Sequence, residues 1–149
     1  MLKVLIAAAA AAAVATSVAA VKLPAGTGPA TIRITDVQTG FRRVGGTSPQ
    51  RTGEVEIVQQ KLYNPSISHP IGRGDLVCTY LDRRTRQCTA TYSLPRGKIS
   101  VVGAIDSRLL YTVAIVGGTG LYDNARGTLT ATATRLSPRR EVLVFRLAG

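Results

Sequence analysis

The stretch Tyr111–Gly127, YTVAIVGGTGLYDNARG, decides the fold. An apolar run entering clustered glycines is how a nucleotide-binding turn begins. Such a fingerprint needs a strand, glycines spaced G-x-G-x-x-G, and then a helix whose N-terminus faces the pyrophosphate. Gly118 and Gly120 supply the first two glycines, but Asp123 stands where the third belongs. The following GTLTATATRL is rich in threonine and alternates with period two, which is strand chemistry and not the start of a helix. Gly117, Gly118 and Gly120 therefore read as a structural connection between two antiparallel strands, where positive φ or close backbone approach excludes a β-carbon.

Strand signals extend outward in both directions. ATIRITDVQT alternates so that Ile32, Ile34 and Asp36 share the buried face, which places an acid among core residues. EVEIVQQKLYN, GDLVCTYL, QCTATYSL, KISVVGAID, LLYTVAIV, GTLTATATRL and EVLVFRL follow, separated by segments rich in glycine, proline and charge. GFRRVGGTSPQRTG reads as the longest of these loops. No segment after the N-terminus carries a helical period. Eight antiparallel strands form either a sandwich or a closed barrel. The all-β eight-stranded antiparallel barrel is favoured, because no strand is a protected edge and eight strands enclose about one small ligand.

The chain opens MLKVLIAAAAAAAVATSVAA, a lysine followed by an apolar core and small residues. Residues 1–20 read as a secretory signal, 21–29 as a glycine- and proline-rich linker, and 30–149 as a single barrel domain, which implies a secreted or periplasmic location. The competing reading is an uncleaved anchor, since ~18 apolar residues just span a bilayer. Cys78 and Cys88 flank a charged turn, and pairing Leu81 with Thr85 puts the two cysteines opposite each other in a hairpin, within disulfide range. Export favours their oxidation.

The net charge is +11, with 19 basic and 8 acidic residues. Arg42, Arg43, Arg51, Arg83, Arg84, Arg86, Arg139 and Arg140 fall at loop tips, with no interleaved aromatics and no recognition helix. That describes a solvated basic surface and weak adhesion to anionic polymers, with no specific nucleic-acid site. The lone His69 lies between Ser68 and Pro70, and no G-x-S-x-G is present, so hydrolase chemistry and a metal site are not expected. The Arg-Gly-Asp at Arg73–Asp75 reads as a strand start and not an adhesion motif.

LPRGKISVVGAI, YTVAIVGGTGLYDNARGTLTATA and the closing apolar strand resemble the dirigent proteins and the related allene oxide cyclase-like barrels, over about Asp75 to Leu147. Those proteins carry a similar Val-Gly-Gly-Thr-Gly, aromatic, Ala-Arg-Gly signature. The resemblance implies a barrel, commonly a homotrimer, that binds an apolar or phenolic ligand without a cofactor and steers its cyclisation or coupling by restricting its conformation. It also implies catalytic roles for Asp36 on the first strand and for Arg126 of the motif, which together would polarise a carbonyl or quinone methide and move a proton. Tyr80, Tyr92 and Tyr111 are the candidate substrate-binding residues. Gly120 occupies a position where some lignan-forming members have a second aspartate, and the plant-type Phe-His-Asp of the first strand is absent. The alternative function is a non-catalytic exported barrel that binds a ligand or acts through its basic surface.

Overall fold

A computed structural model describes residues 30–45 and 51–148; the segments read as signal and linker lie outside the described residues. Eight strands run in sequence order: β1 (Ala30–Val44), β2 (Val55–Tyr63), β3 (Pro70–Tyr80), β4 (Arg86–Leu94), β5 (Gly97–Ile105), β6 (Leu110–Gly120), β7 (Arg126–Leu136) and β8 (Arg139–Ala148). Each pairs with the next, and β8 returns to β1, so the sheet closes as an antiparallel barrel with no free edge.

Period-two alternation builds the interior. One face of each strand supplies Ile34, Leu62, Ile99, Leu129, Leu143 and Phe145, all essentially excluded from water, and each such burial contributes ~1.5–3 kcal/mol. The opposite face carries threonine and arginine. Tyr92 meets Phe145 edge-on, with ring centroids 5.2 Å apart and planes at 82°, the geometry that sets the positive edge of one ring against the face of the other.

The up-and-down topology sorts the connections into two ends. The β1–β2, β3–β4, β5–β6 and β7–β8 links form the upper end; the β2–β3, β4–β5 and β6–β7 links and the β1 N-terminus form the lower end. The β3–β4 hairpin closes as its sequence indicates, with Leu81 N–H donating to the Thr85 carbonyl at 2.9 Å and Cys78 opposite Cys88. The two cysteines form a disulfide.

Two differences from the sequence reading matter most. β1 runs on through Phe41, Arg42 and Arg43, residues expected in the long loop, because a bulge between Gln38 and Gly40 lets the strand stay paired with β2. Gly117–Gly120, expected as the connection, remain in β6 and pair with Ser100–Gly97 of β5. The turn itself is Leu121–Ala125. A β-carbon on Gly118 would sit against the carbonyl oxygens of Tyr122 and Lys98, and Gly120 has φ +64°. Gly117 has no such neighbour: the nearest atom to a β-carbon there is an Arg126 nitrogen at 3.9 Å.

Candidate functional site

The upper half of the barrel interior is polar, and strand periodicity puts it there. Asp36 on β1 pairs in register with Glu141 on β8 and with Leu62 on β2, so its side chain points to the axis between two strands that each supply another polar group. The Glu141 backbone N–H donates to Asp36 Oδ1 at 2.8 Å, and Gln60 Nε2 donates to Asp36 Oδ2. Asp36 is 1% exposed. Burial first, and the neighbouring Glu141 carboxylate second, push its pKa up to about 8, because ionisation there puts charge in a low-dielectric interior beside a like charge. Both effects favour the protonated acid at neutral pH. Gln60 Oε1 has no partner. Rotating the amide by half a turn exchanges its oxygen and nitrogen and lets the Asp36 hydroxyl donate to that oxygen.

Around this acid stand Tyr111, whose hydroxyl donates to Glu141 Oε2 at 3.0 Å, and Arg139, which pairs with Glu141 Oε1 at 2.5 Å. Between β6 and β8, β7 turns the small side chains of Ala131 and Ala133 inward, which leaves the path from Tyr111 to Glu141 open. Gly74 on β3 does the same for Gln60 and Tyr92: a β-carbon there would come within 2.7 Å of Gln60 Oε1 and 3.1 Å of the Tyr92 ring. Burial pushes the phenols of Tyr92 and Tyr111 well above their ordinary value, so both are neutral.

A second cluster lies nearer the mouth. Glu56 accepts from Arg43 at 2.9 Å, Arg108 at 2.8 Å and Arg86 at 3.2 Å, and from the Tyr80 hydroxyl at 2.8 Å. Burial acts to raise its pKa, but the hydrogen bonds from Arg43 and Tyr80 and the charges of Arg108 and Arg86 outweigh it and hold the pKa below the usual value. The bulge in β1 is what brings Arg43 in: it resets the alternation by one residue, so Asp36 and Gln38 face the axis before it and Arg43 after it. The space left among Gln60, Tyr111, Glu141, Arg139, Glu56 and Arg86 is about 30 Å³, room for water and not for an organic ring.

These positions revise the reading of the arginines. Arg43, Arg86 and Arg139, expected on solvated loop tips, are buried or half-buried ion-pair partners, because alternation turns Glu56 and Glu141 inward and a buried carboxylate needs compensating donors. Arg126 departs further. Arg126 pairs with Ala148, whereas Asp36 pairs with Glu141, which separates them by roughly 23 Å along β8 at the usual strand rise. Its side chain is on the outward phase of β7 and donates to the carbonyls of Val116 at 2.8 Å and Ala125 at 2.9 Å. The structure therefore brings Asp36, Tyr92 and Tyr111 together, sets Tyr80 above them, and leaves Arg126 at the lower end as a clasp on the β6–β7 turn. Sequence reasoning missed Gln60, Glu56, Glu141 and Arg139. The inward phase of EVEIVQQKLY was the available signal, since it puts Glu56 and Gln60 on the same face as Val58 and Leu62. No group of three or more His, Cys, Asp or Glu is placed to hold a metal ion among the described residues.

No protein-family model matches the sequence, and no curated protein matches it. Solved structures do match. A pyocyanin demethylase superposes with a TM-score of 0.68 at 21% identity, covering 76% of this chain and 98% of that one. A pterocarpan synthase dirigent protein gives 0.63 at 19%, covering 80% and 87%. An exo-specific intermolecular Diels–Alderase gives 0.64 at 15%, covering 83% and 100%. The likeness is one of fold: an eight-stranded antiparallel barrel like those of a dirigent protein and a Diels–Alderase.

Proposed function

We propose that this chain is an exported barrel that binds a small apolar or phenolic intermediate through its upper end and guides the cyclisation or coupling of that intermediate. One observation carries the reading: a carboxyl group almost fully buried inside a closed barrel and fixed by two hydrogen bonds, where burial and the neighbouring Glu141 favour its protonated form. Once a ligand oxygen takes the place of Gln60 as acceptor, a neutral carboxylic acid donates its hydrogen bond to that carbonyl or quinone-methide oxygen and stabilises the negative charge that grows there as a ring closes. Tyr111 and Tyr92 supply aromatic walls, and the barrel restricts the folded shapes of the ligand. A coupling reaction would draw on an intermediate oxidised elsewhere. The disulfide supports export, and the exposed cross-strand neighbours Ile57 and Val77 give an assembly such as a trimer an apolar patch to cover.

Ligand entry requires Arg108 and Arg139 to swing away from Glu56 and Glu141, since the interior otherwise holds only about 30 Å³. That small volume favours a second reading, a non-catalytic barrel with a filled core that acts through its surface. Titration of the isotope-labelled protein with phenol separates the two. Shifts at the amides of Asp36, Gln60, Tyr111 and Glu141 are expected for the binding barrel; shifts confined to outward-facing residues would contradict it.

A further inference from the structure

Above the Glu56 cluster, the β3–β4 hairpin and the β5–β6 turn face each other across a pocket of about 190 Å³. Its walls carry Arg83, Arg84, Arg86 and Arg108, with Asp106, which pairs with none of them, and Tyr80 as an aromatic side. We propose that this pocket is a vestibule for a small aryl oxyanion, a single ring bearing a carboxylate or phosphate.

The charges there are unbalanced by design of the turns. Glu56 already takes Arg43, Arg86 and Arg108, so it does nothing for Arg83 and Arg84, neither of which has a side-chain acid partner among the described residues. Asp82, the nearest acid in sequence, spends one oxygen on the turn: its Oδ1 accepts from the Arg84 and Thr85 backbone N–H groups at 2.7 Å each. Arg86 is 8% exposed, and its Nε–H is buried without a partner, a donor whose desolvation is offset only when an acceptor arrives. Arginine forks bind carboxylate and phosphate in two-pronged fashion. The Cys78–Cys88 disulfide staples the hairpin that presents Arg83, Arg84 and Arg86, which lowers the ordering cost of binding. Tyr80 and Ile105 offer the ring apolar surface.

The inference deepens the proposed function and rests on it, because Arg86 and Arg108 line both the vestibule and the interior space. An anion held at the mouth competes with Glu56 for those two guanidiniums and leaves the rest of the ligand pointing toward Tyr111 and Asp36. The intermediate is then itself an acid or a phosphate ester.

The test compares two isosteric probes, benzoate and benzamide, by amide chemical-shift titration of the full chain at pH 7 and low salt. Benzoate is expected to bind about tenfold more tightly, a difference of ~1.4 kcal/mol, with shifts at Asp82–Arg86 and at Asp106–Arg108. The double substitution Arg83→Ala, Arg84→Ala, on an exposed turn, is expected to weaken benzoate and remove that preference. Equal affinities for the two probes, no binding of benzoate, or a preference that survives the double substitution would overturn the vestibule. Inorganic phosphate binding as tightly as benzoate would reduce it to a bare ion site and overturn the aryl ligand. Shifts at the mouth with none at Asp36 or Gln60 leave the vestibule standing and sink the interior reading instead.

Discussion

Replacing Asp36 by Asn should make the protein more stable at neutral pH, against the usual expectation for a buried hydrogen-bonded residue. The folded-state pKa is raised from 3.8 to about 8, so the folded protein binds a proton that the unfolded chain releases above pH ~4. Stability from this group is at its full value below ~4, falls as the pH rises, and levels off above about 8. Each unit costs ~1.36 kcal/mol, which over the interval from 3.8 to neutral amounts to about 4 kcal/mol. Asn carries none of this penalty. Its oxygen still accepts the Glu141 N–H, and its amide can donate to Gln60 Oε1 in place of the Asp36 hydroxyl. Allowing for imperfect geometry, Asp36→Asn should gain about 2–4 kcal/mol at pH 7 and nothing at pH 4. Urea unfolding of both proteins at pH 4, 5.5, 7 and 8 measures the difference, in which titrating groups remote from position 36 cancel. A difference that stays constant with pH, or a variant less stable at pH 7, would refute the claim that Asp36 is buried as a neutral acid.

Glu56→Gln should strand three arginines around one interior position and cost ~3–5 kcal/mol, read as a lower urea midpoint with an unchanged slope. Replacing both Cys78 and Cys88 by Ala opens a short loop, sequence separation 10, and should cost about 3 kcal/mol by loop entropy, measured the same way under non-reducing conditions. Gly118→Val should prevent folding or shift the melting temperature sharply down, since its β-carbon meets backbone on both sides, whereas Gly117→Ala should be nearly silent. In a double-mutant cycle Asp36→Asn and Arg126→Ala should be additive within ~0.5 kcal/mol, as their separate placement demands; a larger coupling would restore the link between motif arginine and first-strand acid.

The barrel was legible because its strands alternate cleanly and its turns are marked by glycine, proline and charge; the cysteine hairpin was legible to the residue pair. What alternation alone does not carry is the height of each residue along the barrel axis. The family resemblance links Asp36 with Arg126, yet register places one against Glu141 and the other against Ala148. The bulge at Gln38–Gly40 was hidden for a similar reason. TGFRRV reads as loop because glycine and arginine are poor strand formers, and only the pairing with β2 shows that one inserted residue keeps the strand going and turns Arg43 inward. The inward arginines answer to buried carboxylates on other strands, a long-range relation that no local pattern encodes.

The central claim is that the barrel holds a protonated carboxyl group in its interior at neutral pH. Carbon-detected NMR of the Asp36 side-chain carboxyl, followed from pH 3 to pH 10 in the folded protein, tests it directly. A titration whose main step lies near 8 is the result expected from its burial beside Glu141. A midpoint near 4 would mean that Asp36 is ionised and solvated, and would remove the proton donor on which the proposed chemistry depends.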